Sequence, residues 1–307
     1  MSRFEYLEAR TLRQAVSLLK RYGEEARIVA GTTDFLVRWR QGFWKPSYVV
    51  SIKRIPGLDR VSYSPRAGLR LGALVTVRTL ETHPIIRQHY PALTAAATTF
   101  AGVQVRNLAT VGGNVCNASP AGDTLSSLLA FEAQCRIVGP EGERWMPLDQ
   151  FFLGPGRSAL KPGEVLAEFR LPPPLSNTGS LYIKDSPRSA MDIAAAGVAS
   201  VISLDDSGQV CRDVKIALGA VAPTPIRARA AEEILRGQAV DQERIDEVAR
   251  AAAAEARPID DIRGSARHRR AIVEALTRRT VEYAVQMAQK TELPFEVQRR
   301  LAVEAIV

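Results

Sequence analysis

Thr110-Val111-Gly112-Gly113-Asn114 sets two adjacent glycines between a hydroxyl and an amide. Glycines there leave the backbone free to take φ > 0 and put no Cβ in the way of an approaching ligand. Consecutive N–H groups in such a turn point into one concavity, where an anion gains charge-assisted hydrogen bonds of about 1.5–3 kcal/mol each. A second loop of the same character lies upstream. Ile28-Val29-Ala30 reads as a short buried strand, and Gly31-Thr32-Thr33-Asp34 opens a turn into Phe35-Leu36-Val37. Two anion-friendly loops imply one extended ligand with a diphosphate. Gly31, Gly112 and Gly113 would give backbone access to it, Thr32, Thr33 and Thr110 would offer hydroxyl donors, and Asn114 could bond backbone or ligand groups. Asp34 and Asp123 are unsuited to contact phosphate and are expected to accept from backbone N–H groups or ligand hydroxyls. A lone Gly-Gly pair is more often a plain turn or bulge, so the pairing of the loops carries the inference. No Gly-x-Gly-x-x-Gly follows a predicted strand and no lysine follows the glycines, which argues against a Rossmann site and excludes a P-loop.

The elements that must position these loops follow from periodicity. Thr11-Leu12-Arg13-Gln14 has the form of a capping box, and Leu12, Ala15, Val16, Leu19 and Tyr22 repeat at helical spacing until Gly23. The strand at 28–30, a short helix through Arg40 and a strand over Tyr48–Ile52 complete a small α/β lobe, residues 1–57. A second lobe, 58–174, begins with the alternating Leu69–Ala73 and runs through a helix at Ala92–Thr98 into the glycine loop. Asp123 then opens the helical segment Thr124–Ala130, where a carboxylate suits the first turn. A hairpin at Cys135–Val138 with the turn Gly139–Gly142, and a strand at Val165–Leu171, lead to Pro172-Pro173-Pro174, an extended linker. The third lobe, 178–288, holds a strand at Leu181–Lys184, the apolar segment Ile193–Leu204 and its hairpin partner Val210–Val221. Helices are expected at about Ile226–Arg236, Asp241–Ala256 and Gly264–Met287, packed on one face of the sheet. Residues 289–307, with Leu293-Pro294-Phe295, read as a tail.

Of the chain's 307 residues 46% are hydrophobic, ample for two or three lobes with real cores. The start Met1-Ser2-Arg3-Phe4-Glu5 leads into mixed polar sequence with no secretory apolar region and no membrane-spanning run, so a soluble protein of the cytoplasm is expected. Cys116, Cys135 and Cys211 suit neither a disulfide framework nor a zinc site, and alone they cannot hold an iron–sulfur cluster. The net charge of +8 concentrates late, at Arg263, Arg267, Arg269, Arg270, Arg278 and Arg279. Without aromatic interleaving this points away from nucleic acid and towards solvated or partner-facing helices.

The paired loops, with Phe100-Ala101-Gly102 before the second and Pro120-Ala121-Gly122-Asp123 after it, resemble the FAD-binding medium subunits of the molybdenum hydroxylases, of carbon monoxide dehydrogenase and xanthine dehydrogenase type. The resemblance runs from Phe4 to about Ala288. It implies an α+β fold: a two-lobed FAD-binding domain of vanillyl-alcohol-oxidase type, then an α+β C-terminal domain. By the family pattern, Val29, Ala30, Gly31, Thr32, Thr33 and Asp34 match the first FAD loop, and Ala109, Thr110, Gly112, Gly113 and Asn114 the second. Phe100 and Ala101 match positions lining the cofactor, Asp123 a ribityl or ribose-side acceptor, Leu166 a packing contact near the flavin, and Lys184 a lysine near the isoalloxazine ring. Phe100 could equally be ordinary core and Lys184 a solvated strand end. Arg188 and Asp192 lie where the family's electron acceptor approaches, or form a pair that stabilises the domain. The histidines His83, His89 and His268 stand outside the glycine loops, which favours noncovalent FAD. The four-cysteine cluster loop of the 4-hydroxybenzoyl-CoA reductase flavoprotein is missing, which argues against that activity.

The resemblance further implies an electron relay. A small subunit with [2Fe-2S] clusters and a large molybdenum subunit would be partners in a heterotrimer or its dimer, and NAD, a quinone or another acceptor would take the electrons. Lys184 would act on the flavin electrostatically. A standalone flavin oxidase is the alternative, but it needs substrate-side acid and base groups that the sequence does not display.

Overall fold

The computed structural model describes residues 3–188 and 191–293, so the expected tail from Pro294 onward lies outside the described residues. The first lobe holds β1 (Glu5–Glu8), α1 (Leu12–Tyr22), β2 (Ala26–Val29), α2 (Phe35–Arg40) and β3 (Tyr48–Ser51), its strands forming a parallel sheet in the order β1-β3-β2. Thr11 caps α1 by accepting from the Gln14 amide at 3.1 Å, and Gln14 reaches back to the Arg10 N–H at 2.8 Å, closing the capping box one residue early. Ala15, Val16 and Leu19 of α1 share an apolar cluster with Val50, Val165 and Ala167, so the helix is wedged between the first two lobes.

Next come β4 (Val61–Ser64), β5 (Gly68–Gly72), α3 (Val77–Thr82), α4 (Pro84–His89), α5 (Pro91–Thr98), α6 (Val103–Arg106), α7 (Val111–Asn117) and α8 (Asp123–Ala130). They are followed by β6 (Gln134–Gly139), β7 (Gly142–Pro147), β8 (Phe152–Gly154), β9 (Arg157–Ser158) and β10 (Val165–Leu171). The main sheet is antiparallel in the order β4-β5-β10-β6-β7, and β8-β9 form a separate ribbon.

The third lobe comprises β11 (Thr178–Asp185), β12 (Ala196–Leu204), β13 (Cys211–Gly219), β14 (Ile226–Arg227), α9 (Arg229–Leu235), α10 (Gln242–Glu255) and α11 (Ala266–Ala288). Its strands run antiparallel in chain order. Ile226 and Arg227 pair with Leu218 and Ala217, so the helix expected from Ile226 begins only at Arg229. Both faces of this sheet are covered, one by a helix of its own lobe and the other by two helices of the second lobe. The outer face carries α11, close enough that a Cβ on Gly179 would overlap the Ala284 carbonyl oxygen, and Ser200 shares a 2.8 Å hydrogen bond with Thr280. The inner face receives α5 and α8: Ser180 Oγ accepts from the Ala92 N–H at 3.2 Å, and a Cβ on Gly219 would sit 2.5 Å from Ser126 Oγ. Hence every residue of β12 is buried, as is every residue of α8. Small side chains make this approach possible, since α5 reads Pro-Ala-Leu-Thr-Ala-Ala-Ala-Thr and β12 alternates no polar face.

Of the late basic residues, Arg263, Arg269 and Arg278 pair with acids of the fold, while Arg267, Arg270 and Arg279 are exposed. Arg278 pairs with Asp246 at 2.5 Å and Arg263 with Asp261. Arg269 is 1% exposed, donating to the carbonyls of Ala195 and Ile259 at 2.9 Å each and to that of Ala220, while Arg270 donates to the Ala256 carbonyl. Arg269 therefore staples three loops and cannot be a docking residue. No helix among the described residues is long and apolar enough to cross a membrane.

Candidate functional site

Where the first two lobes meet, a cavity of about 230 Å³ opens between the loop after β2 and the start of α7. Val29, Ala30, Gly31, Thr32, Thr33 and Asp34 line one wall, and Ala109, Thr110, Gly112, Gly113 and Asn114 line another. Phe100 and Leu166 also face it. Ala101, Asp123 and Lys184 do not. Two wider clefts, of about 570 and 560 Å³, lie elsewhere, around Arg227, and contain none of the expected site residues.

The glycines do not serve as the sequence suggests. Gly31, Gly112 and Gly113 all lack positive φ; the left-handed residue of the first loop is Thr32, at φ 62°. What demands glycine is close approach. A Cβ on Gly31 would overlap the Leu108 carbonyl oxygen, and one on Gly112 would stand 2.6 Å from the Ala73 carbonyl oxygen. These two contacts clamp the first loop to the second and α7 to β5. The α7 amides are also committed: Gly112 donates to Ala73 at 2.9 Å, and Gly113 to Thr110 Oγ1 at 3.0 Å as the helix cap. In the first loop, by contrast, the N–H groups of Thr32, Thr33 and Asp34 have no acceptor among the described residues. A left-handed residue followed by free amides forms a nest suited to an anion.

The side chains sort in the same way. Thr32 donates to the Gly31 carbonyl at 2.7 Å, which occupies its proton, whereas Thr110 only accepts and keeps its own. Asn114 Oδ1 accepts from Thr124 Oγ1 at 2.7 Å, leaving its Nδ2 group for a ligand. Burial pushes the Asp34 carboxyl above its usual range, and Arg38 opposes that shift.

Asp123 and Lys184 pair with each other. The Lys184 ammonium, 3% exposed, sits 2.9 and 3.0 Å from the two carboxylate oxygens and donates to the Asp192 carbonyl at 3.1 Å. Tyr182 donates to the same carboxylate at 3.2 Å. Burial raises the Asp123 pKa against the opposing pull of Lys184. The pair stands behind Asn114, joined to it through the neighbouring Thr124. Arg188 and Asp192 form an exposed pair at 3.3 Å.

Several residues that the sequence did not single out complete the site. Gly156 and Leu160 close one side, the Gly156 amide donating to the Ala118 carbonyl at the end of α7. Arg38, Trp44 and Asn117 line the mouth. Arg106 acts from beneath, donating from one nitrogen to the carbonyls of Thr98, Phe100 and Ala101 at 3.1, 3.0 and 2.9 Å. Its Nε lies 2.8 Å from Glu81 as an ion pair without an aligned hydrogen bond, and Nη2 donates to Glu81 at 3.3 Å. Ala101, at φ 39°, thus belongs to a strained turn that Arg106 ties down beside Phe100. Arg106→Leu should cost about 3 kcal/mol, the low end for a broken buried pair because Arg78 remains 2.9 Å from Glu81. Urea unfolding would measure it, and an unchanged midpoint would mean that the turn holds itself.

Residues 2–174 match the family described as the FAD binding domain in molybdopterin dehydrogenase, and residues 182–284 match the CO dehydrogenase flavoprotein C-terminal domain. The carbon monoxide dehydrogenase medium chain of Hydrogenophaga pseudoflava is 34% identical over 282 residues, covering 92% of this chain and 97% of that protein. The xanthine dehydrogenase FAD-binding subunit of Escherichia coli O157:H7 is 32% identical over 284 residues, covering 92% and 96%. Among solved structures, carbon monoxide dehydrogenase from Hydrogenophaga pseudoflava superposes with a TM-score of 0.88 at 34% identity, over 92% of this chain and 97% of that one. Quinoline 2-oxidoreductase from Pseudomonas putida 86 gives 0.86 at 27% identity, over 93% and 98%. Both domains, in the same order and over nearly the full length, place the chain in the family of FAD-binding medium subunits of carbon monoxide and xanthine dehydrogenase-type molybdenum hydroxylases.

Proposed function

We propose that this chain is the electron-transfer subunit of a cytoplasmic molybdenum hydroxylase complex. It would receive electrons from [2Fe-2S] clusters of a small partner subunit, supplied in turn by a large molybdenum subunit, and deliver them to NAD or another acceptor. The observation that carries the reading is the cavity between the two loops, whose polar and apolar parts fit FAD. Free amides at Thr32, Thr33 and Asp34 suit a diphosphate, Gly113 presents an open face, and Phe100, Val165 and Leu166 offer an apolar surface to a ring system. When bound, FAD supplies a centre that takes up and releases electrons singly or in pairs.

The chain's own residues hold and shield that centre. The amides of the first loop bind the anion, Thr110 and Asn114 donate to ligand oxygens, and Phe100 with Leu166 excludes water. His83, His89 and His268 all lie outside the cavity lining, which supports noncovalent attachment. Lys184 and Asp123, placed behind Asn114, would act on the ring through their field without touching it.

Coexpression with the cluster and molybdenum subunits tests this. The organic substrate should bleach the flavin absorbance of the complex, whereas the isolated chain should respond only to NADH or an artificial donor. Acid precipitation should release the yellow chromophore to the supernatant. Substrate-driven bleaching of the isolated chain would instead support a standalone oxidase.

A further inference from the structure

Four side chains, from α2 with its cap, the loop after it and the end of α7, meet at the mouth of the cavity: Asp34, Arg38, Trp44 and Asn117. Arg38 follows Asp34 by one helical turn, side chains in a helix lean towards its N-terminus, and Arg38 lines the same cavity as the residues that carry the free amides. The guanidinium lies 4.8 Å from the centre of the Trp44 ring, which fixes its plane. Nη2 donates to Asn117 Oδ1 at 2.8 Å, and Asn117 Nδ2 donates to Asp34 Oδ1 at 3.3 Å, so the two loops are latched across the opening. Among the described residues, Arg38 forms no ion pair within 4 Å, and its Nε and Nη1 hydrogens have no acceptor. Other half-buried arginines among the described residues sit on a carboxylate, as Arg136, Arg144 and Arg278 do.

The geometry points to Arg38 as the cation that neutralises the diphosphate of the bound dinucleotide, held in plane by Trp44 and resting on Asn117 when the ligand is away. This rests on the FAD reading and adds to it the one positive charge that the glycine loops lack. Backbone amides alone leave a doubly charged diphosphate partly uncompensated, and a guanidinium fork with two unused donors matches two phosphate oxygens.

The test is titration of the flavin-free full chain with FAD, ADP and riboflavin. Arg38→Gln should weaken FAD and ADP by about 10- to 100-fold, the loss of one charge-assisted contact, and leave riboflavin unchanged because it has no phosphate. Arg38→Lys should recover part of the loss. The dependence of FAD affinity on salt should flatten in Arg38→Gln relative to the parent chain. If Arg38→Gln folds poorly, Arg38→Lys and the salt slope of the parent chain decide the matter. Equal losses for riboflavin and FAD would overturn the proposal and leave Arg38 a packing residue against Trp44, as would unchanged FAD affinity. A parent chain that binds none of the three ligands would remove the FAD reading itself.

Discussion

Gly31→Val is expected to abolish flavin retention and to lower the unfolding midpoint at once, whereas Gly113→Val should lose the flavin from a chain that still folds. At Gly31 an added Cβ meets the Leu108 main chain, which no rotamer change can clear. Overpacking of this kind costs about 1–3 kcal/mol in ordinary cores, and a backbone obstacle belongs at the top of that range or beyond. The two loops must separate, and the cavity goes with them. Gly113 is exposed, and its added Cβ would meet only Thr110 Oγ1, at 2.9 Å. In a helix valine is better than glycine by about a few tenths of a kcal/mol, so α7 should survive. The branched side chain would instead fill the open face of the cavity and disturb the Thr110 cap. Flavin absorbance per protein and thermal unfolding, measured on both variants, separate the cases. Full flavin content in Gly113→Val would show that the face it presents is not used.

Lys184→Met should be the most destabilising change away from the loops. Among the described residues it removes the only cation on Asp123, a carboxylate 8% exposed, and leaves Tyr182 as the remaining side-chain partner. Breaking a buried pair in this way costs about 3–5 kcal/mol. The loss should depend on pH with a definite sign. Burial already raises the Asp123 pKa in the folded chain, and without the ammonium it rises further. A folded-state pKa above the unfolded value favours folding at low pH and loses that contribution as pH rises through the folded pKa. Lys184→Met should therefore approach the parent stability towards the unfolded carboxylate value of about 4 and fall behind above it. A constant deficit across pH would point to lost packing instead of a stranded charge. The same pairing tempers the electrostatic role expected for Lys184, since an ammonium facing a carboxylate at 2.9 Å presents a dipole to a nearby flavin.

The two loops could be found in the sequence because their residue types are local. Their reason could not. Gly31 and Gly112 are glycine because Leu108 and Ala73 come within contact, and those neighbours are fixed only by the fold. Helix α1 and the three long strands of the third lobe were legible from capping and apolar runs, whereas β1 reads Glu-Tyr-Leu-Glu and shows too little pattern in four residues, and the two residues of β14 read as the start of a helix. The short helices α3 and α4 break at Pro84 before any period can repeat. Charged residues misled most. Arg106 and Arg269 look like surface cations until the carbonyls they serve are brought to them from other segments. Arg38 escaped notice because its ring partner Trp44 lies beyond a turn, and Asn117 belongs to another lobe.

Helices α5 and α8 precede in the chain the sheet that covers them. During synthesis both leave the ribosome with apolar faces that have nowhere to pack until β11, β12 and β13 have followed, since domains tend to form in order from the N-terminus. Asp123 likewise waits for Lys184, its counter-charge, for the whole interval. The nascent chain would thus carry a sticky, incompletely neutralised intermediate, and Asn114, tied through Thr124 to the same helix, would not be set until late. Cofactor loading would then come only after β11, β12 and β13 are made, which ties the flavin content of a truncated chain to whether it reaches the end of β13.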